Sequence, residues 1–166
     1  NESVLAALVE RMDAAGIHVI AALGNTAEVY QLTATERRLV LATVAAATES
    51  ARRIAGLCGA REDILRDGDF AVELGYDGVM IHEPVDPLGS KDGAERFYLD
   101  LADRLPLPVV LYIRSPRLST DQLVRVADHP NIAGVKYARH DVPELVRLIS
   151  ATRSSDTVWV CGAAES

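Results

Sequence analysis

Helix-like and strand-like patterns alternate along the whole chain, and this alternation constrains the fold more than any single motif. Helical spacing of apolar residues marks 3–15, 35–50, 61–74, 92–104, 120–128 and 142–152. In the first of these, Val4, Leu5, Leu8, Val9 and Met12 fall on one face. Apolar runs mark strands at 17–23, 53–58, 78–82, 108–113, 132–137 and 157–161. Punctuation agrees: Gly16 and Gly75 close helices, Pro106 and Pro130 follow others, and Thr33 or Thr35 is the candidate cap of the second. Strict alternation with short connections predicts parallel strands joined by right-handed crossovers.

Two α/β architectures fit such a pattern, a doubly wound open sheet and a TIM (β/α)8 barrel. Gly24-Asn25-Thr26-Ala27-Glu28, after the first strand, matches neither the dinucleotide fingerprint nor the P-loop. A complete barrel takes about 250 residues. Six strands in 166 residues keep a barrel's pace and leave two units unaccounted for. The expectation is one barrel domain over 1–166, incomplete at both ends, whose outermost strands would be open edges.

Charge and composition narrow the partners. The net charge is -7, which argues against nucleic acid, since that partner selects a basic face. No run of 18 apolar residues and no basic leader followed by an apolar stretch occurs. A cytoplasmic protein without a membrane span is expected. Cys58 and Cys161 lack metal-ligand spacing and are expected to be reduced, buried thiols. The pairs Arg37-Arg38 and Arg52-Arg53 are expected at a solvated helix face and a helix end, and Trp159 in the core or in helix packing.

One residue breaks the strand pattern. Lys136 interrupts the apolar run Ile132-Ala133-Gly134-Val135, although 15 of the 17 basic residues are arginine and the other lysine is Lys91. Strand parity puts Ala133 and Val135 on the helix side, so Gly134 and Lys136 face the barrel interior. In the preceding strand Val109, Leu111 and Ile113 share the apolar face, and Val110, Tyr112 and Arg114 take the other. Both Tyr112 and Lys136 sit toward the C-terminal ends of their strands, where barrel active sites are built. A lysine at a strand end can simply snorkel to solvent. Arginine would serve an ion pair better. What distinguishes lysine is the ability to lose its proton; burial disfavours the ammonium, and a neutral amine attacks carbonyls to form a Schiff base.

These residues bring a family into view. The stretch Gly134-Val135-Lys136-Tyr137-Ala138 resembles the Schiff-base strand of the N-acetylneuraminate lyase / dihydrodipicolinate synthase family. Leu111-Tyr112 resembles its catalytic-tyrosine strand. Gly24 to Glu28, followed by Leu32-Thr33 and Glu36-Arg37, is similar to its first loop and helix, and the segment 71–84 also fits. The resemblance runs almost the full length and implies barrel strands 2 to 7, without the first strand, the eighth strand and the C-terminal helices. It implies a lyase of the class I aldolase and dehydratase kind. Lys136 would form the imine with pyruvate or another 2-keto acid, and Tyr112 would shuttle protons. Asn25 and Thr26 would hold the substrate carboxylate, and Arg117 a second carboxylate. Glu28 would fix the loop. No metal or organic cofactor is implied, because the covalent imine is itself the electron sink. A homo-oligomer, commonly a tetramer, is implied.

Departures qualify the resemblance. Ala27 stands where glycine is usual, and Ile113-Arg114 follow the tyrosine where many members carry asparagine. Val85-Asp86 replace a relay tyrosine, which argues against lysine-biosynthetic activity. Arg114 and the spacing ending at Glu165 match the sugar-acid dehydratase branch more nearly. His82 is expected to be structural. Two other functions compete: a catalytically silent barrel acting as a ligand-binding or regulatory protein, and a phosphate-binding barrel isomerase.

Overall fold

The computed structural model describes residues 1–85, 89–153 and 155–162. Asp86 and Glu165, cited above, lie outside the described residues. The elements run α1 (Glu2–Ala14), β1 (Val19–Ala22), α2 (Ala34–Ala47), β2 (Arg52–Leu57), α3 (Arg61–Glu73), β3 (Gly78–Ile81), α4 (Lys91–Arg104), β4 (Val109–Ile113), α5 (Thr120–Ala127), β5 (Ile132–Tyr137), α6 (Val142–Ala151) and β6 (Val158–Cys161). All twelve elements read from the sequence are present. Two short 3-10 turns, Asn25–Ala27 and Val29–Gln31, were not foreseen and fill the connection from β1 to α2.

The strands follow one another in the order β1-β2-β3-β4-β5-β6. The β1–β2, β4–β5 and β5–β6 pairs are parallel. This order decides between the two expected architectures. A doubly wound sheet reverses its strand order at a switch point, whereas a barrel adds each strand beside the last. The chain therefore carries a six-stranded part of a (β/α)8 barrel. The chain divides into two compact units, Asn1–Met80 and a second that begins at Ile81.

In the first unit the core is Val9, Leu41, Val44, Ala55, Leu57, Ile64 and Val79, all buried. Thr33 caps α2: its hydroxyl accepts from the Glu36 N–H while the Glu36 carboxylate accepts from the Thr33 N–H. Gly56 is fixed by close approach, because a Cβ there would stand 2.2 Å from the Leu23 carbonyl oxygen. Arg37 corrects an expectation. Its side chain is only 12% exposed and pairs with the buried Asp67 at 3.2 Å, while Arg38 binds the other carboxylate oxygen. Arg52 and Arg53 open β2 instead of ending a helix, and the Arg53 guanidinium caps the Ala45 and Gly75 carbonyls. Asp67→Ala leaves a buried guanidinium without its carboxylate. A loss of about 3 kcal/mol is expected, read as a lower urea midpoint.

The second unit has its core in Ile81, Leu101, Leu111, Leu123, Val126, Val135 and Leu148. Ser119 and Gln122 form the capping box of α5, and the Asp141 side chain caps α6. Trp159 is half-buried and donates to the Thr152 hydroxyl at 2.9 Å, as helix packing predicts. Both cysteines are free thiols, as expected; Cys58 is buried, which pushes its pKa up, whereas Cys161 is exposed against the expectation of burial. Val19 on β1 is 52% exposed and Val158 on β6 is 60% exposed, in keeping with two outermost strands.

Candidate active site

β4 and β5 bring the two leading residues together. Their parallel register sets Val110 beside Gly134 and Tyr112 beside Lys136. Side chains alternate across a strand, so both residues of each pair lie on one face of the sheet. The other face is built of Val109, Leu111, Ile113 and Val135, all fully buried. Tyr137 lies on that face too, and its hydroxyl donates to the Glu144 carboxylate on α6. Parity thus reads correctly from Val110 and Gly134 onward, whereas a register shift just before them skips Ala133, which is exposed instead of facing the helices.

Lys136 is half-buried, and its Nζ stands 5.0 Å from the centroid of the Tyr112 ring. An ammonium over a phenol face gains from the ring quadrupole. Tyr112 is buried and in turn meets the His82 ring edge-on, with centroids 5.4 Å apart. His82 is 1% exposed and follows β3 directly. The lysine stem has a small neighbour: a Cβ on Gly162 would stand 3.1 Å from Lys136 Cγ and 2.8 Å from Ala138 Cβ. Gly134 is constrained as well, since a Cβ there would lie 3.0 Å from the Val158 carbonyl oxygen.

The remaining expected site residues divide between the two units. Arg117 lies half-buried in the turn between β4 and α5. Asn25 and Thr26 belong to the first unit and occupy the 3-10 turn after β1. Glu28 adopts a left-handed conformation with φ 53°, and its N–H bonds to the Asn25 carbonyl. Its backbone, then, shapes that loop.

Sequence reasoning missed three contributors. Glu83 is buried two residues past β3, and its Oε1 accepts the N–H groups of Arg114 (2.9 Å) and Ser115 (2.8 Å). A carboxylate immediately after an apolar strand was the available signal. Gly162 was visible only as a glycine following the last strand. Arg139 carried no signal at all. It pairs with Glu144 at 2.8 Å, and its other Nη donates to the Leu118 carbonyl at 3.2 Å. Thr120 and Tyr137 complete this buried cluster behind β5.

Burial pushes the Glu144 carboxyl up, but hydrogen bonds from Tyr137, Arg139 and Thr120 outweigh it and hold the carboxyl below its ordinary range. Burial, then the bond to Glu144, pushes the Tyr137 phenol up. A depressed carboxyl stabilises the fold above its unfolded pKa and stops doing so as pH falls through the folded value. The urea midpoint is therefore expected to drop between about pH 5 and pH 3, and Glu144→Gln is expected to remove part of that drop.

The strand order and the placement of polar residues at strand C-termini define a chain of the (β/α)8-barrel class. Comparison with known proteins makes the assignment specific. The model of the dihydrodipicolinate synthetase family matches residues 1–166, and the chain belongs to that family. A 4-hydroxy-tetrahydrodipicolinate synthase of Methanospirillum hungatei is 30% identical over 157 residues, covering 90% of this chain and 53% of the relative. The crystal structure of dihydrodipicolinate synthase from Oceanobacillus iheyensis superposes with a TM-score of 0.94 at 32% identity, covering 99% of this chain and 56% of that one. The chloride-inhibited dihydrodipicolinate synthase from Acinetobacter baumannii, complexed with pyruvate, gives a TM-score of 0.87 at 29% identity over 96% of this chain and 57% of that one. The chain spans about half the length of the curated relatives it matches.

Proposed function

We propose that this chain provides the reacting residues of a Schiff-base lyase or synthase acting on pyruvate or another 2-keto acid. The observation that carries the reading is the pairing of Lys136 with Tyr112 on adjacent strand ends, with the amine 5.0 Å from the ring centroid. Family membership and the pyruvate complex of the Acinetobacter relative support it.

The chemistry follows from the two groups. The neutral Lys136 amine adds to the keto carbon, and the resulting carbinolamine loses water to give a protonated imine. The imine nitrogen withdraws electrons, so the neighbouring carbon can release a proton or break its bond to a further carbon. Tyr112 would move protons in these steps, a reading supported by its ring standing 5.0 Å from the imine-forming amine. Asn25 and Thr26 would hold the carboxylate next to the keto group, through backbone N–H groups and the Thr26 hydroxyl. Arg117 would bind a second carboxylate, as a fork of donors suits. The covalent substrate supplies its own electron sink, and the reading assigns no separate cofactor. It also includes a cytoplasmic homo-oligomer, whose size sedimentation velocity would give.

The test is to incubate the protein with pyruvate, reduce with borohydride, and weigh it. A covalent adduct mapped to Lys136 by peptide mass is expected. An unmodified protein, with pyruvate and with a panel of keto sugar acids, overturns the enzyme and leaves the ligand-binding barrel as the better reading.

A further inference from the structure

We infer that Glu83 is a positioning residue for the turn 114–118, and that through this turn it governs binding of keto acids carrying a second carboxylate. The inference rests on the Schiff-base reading above. Glu83 is 6% exposed, and a carboxylate so buried must be met by donors. Two of them are the backbone N–H groups of Arg114 and Ser115, both on Oε1. The Arg114 Nε stands 3.8 Å from Oε2, on a side chain 46% exposed, so this ion pair contributes little by itself. The backbone bonds are what fix the chain, two residues beyond Tyr112.

The other end of the turn is tied as well. The Leu118 carbonyl accepts from Arg139, whose guanidinium is held by Glu144; both side chains are 10% exposed. Arg117 thus sits in a short turn clamped from the end of β3 by Glu83 and from the residues after β5 by Arg139. The Ser115 Oγ is buried and makes no hydrogen bond among the described residues. The clamped turn therefore carries the Arg117 guanidinium and the unused Ser115 hydroxyl next to the tyrosine strand. Both suit a distal carboxylate, and neither is required for an amine to attack a keto group.

The test compares pyruvate with 2-oxoglutarate, which shares the keto-acid head and adds a carboxylate. Borohydride trapping on Lys136 is titrated with each acid in the wild-type protein, Glu83→Gln, Glu83→Ala and Arg117→Ala. The half-saturating concentration of 2-oxoglutarate is expected to rise about tenfold in Glu83→Ala and in Arg117→Ala, the scale of a lost charge-assisted contact. In Glu83→Ala that of pyruvate is expected to change less than about twofold, within the scatter of contacts that remain intact. Glu83→Gln keeps an oxygen for the two N–H groups and is expected to fall between. If Glu83→Ala does not fold, the ratio in Glu83→Gln decides. Equal changes for both acids, or none, overturn the role of Glu83 and leave the imine reading standing. A wild-type protein that traps pyruvate but not 2-oxoglutarate overturns the second-carboxylate role. One that traps neither overturns both readings.

Discussion

Lys136→Ala is expected to yield no borohydride-trapped adduct with pyruvate and to lower any imine-dependent turnover by at least about 10³-fold, as removing a nucleophile does. Lys136→Arg is expected to fail equally. A guanidinium keeps the charge and the contact with the Tyr112 ring but stays protonated, so it has no lone pair for the carbonyl. The pair of variants separates chemistry from packing, because arginine preserves much of the stem and alanine does not. The control is internal. The only other lysine, Lys91, is the exposed first residue of α4, and a mass map distinguishes the two positions. An adduct that persists in Lys136→Ala at wild-type level, on Lys91 or on the terminal amine, would show that Lys136 is not the nucleophile.

Tyr112→Phe is expected to leave the adduct in place while slowing proton transfer by about 10²-fold or more, the usual scale for a positioned acid–base group. Phenylalanine keeps the ring that Lys136 and His82 touch, so the local packing survives. The direct readout is exchange of pyruvate methyl protons in heavy water, since the imine must lose and regain a proton there. It needs no knowledge of the second substrate. Exchange at the wild-type rate in Tyr112→Phe would remove Tyr112 from the proposed mechanism and leave it a packing role beneath the amine.

The fold was legible because periodicity survives in a single sequence. Each of the six strands and six helices announced itself by spacing, and the boundaries moved by only a few residues. The turn chemistry after β1 was less legible. Two 3-10 turns around a left-handed Glu28 depend on how β1 ends against Gly56, and pattern does not carry that. Parity in β4 and β5 put Tyr112 and Lys136 on one face, and the register then made them neighbours. Arg37 shows where the method fails. On its helix it reads as solvated, and only the approach of α3 brings the Asp67 carboxylate to it.

By itself the sequence determined the alternation of elements, the parallel strands it implies, and the one lysine placed where a charge is costly. These are local properties: spacing, residue type and strand parity act within a few residues of one another. The tertiary structure alone decided which groups hold the site in shape. Glu83, Arg139 and Gly162 come from the ends of three different strands, and each acts on a partner at least 21 residues away in the chain. Their effect arises from distance and burial in three dimensions, where a carboxylate meets two backbone N–H groups or a missing Cβ leaves room for a lysine stem. No one-dimensional pattern encodes such meetings.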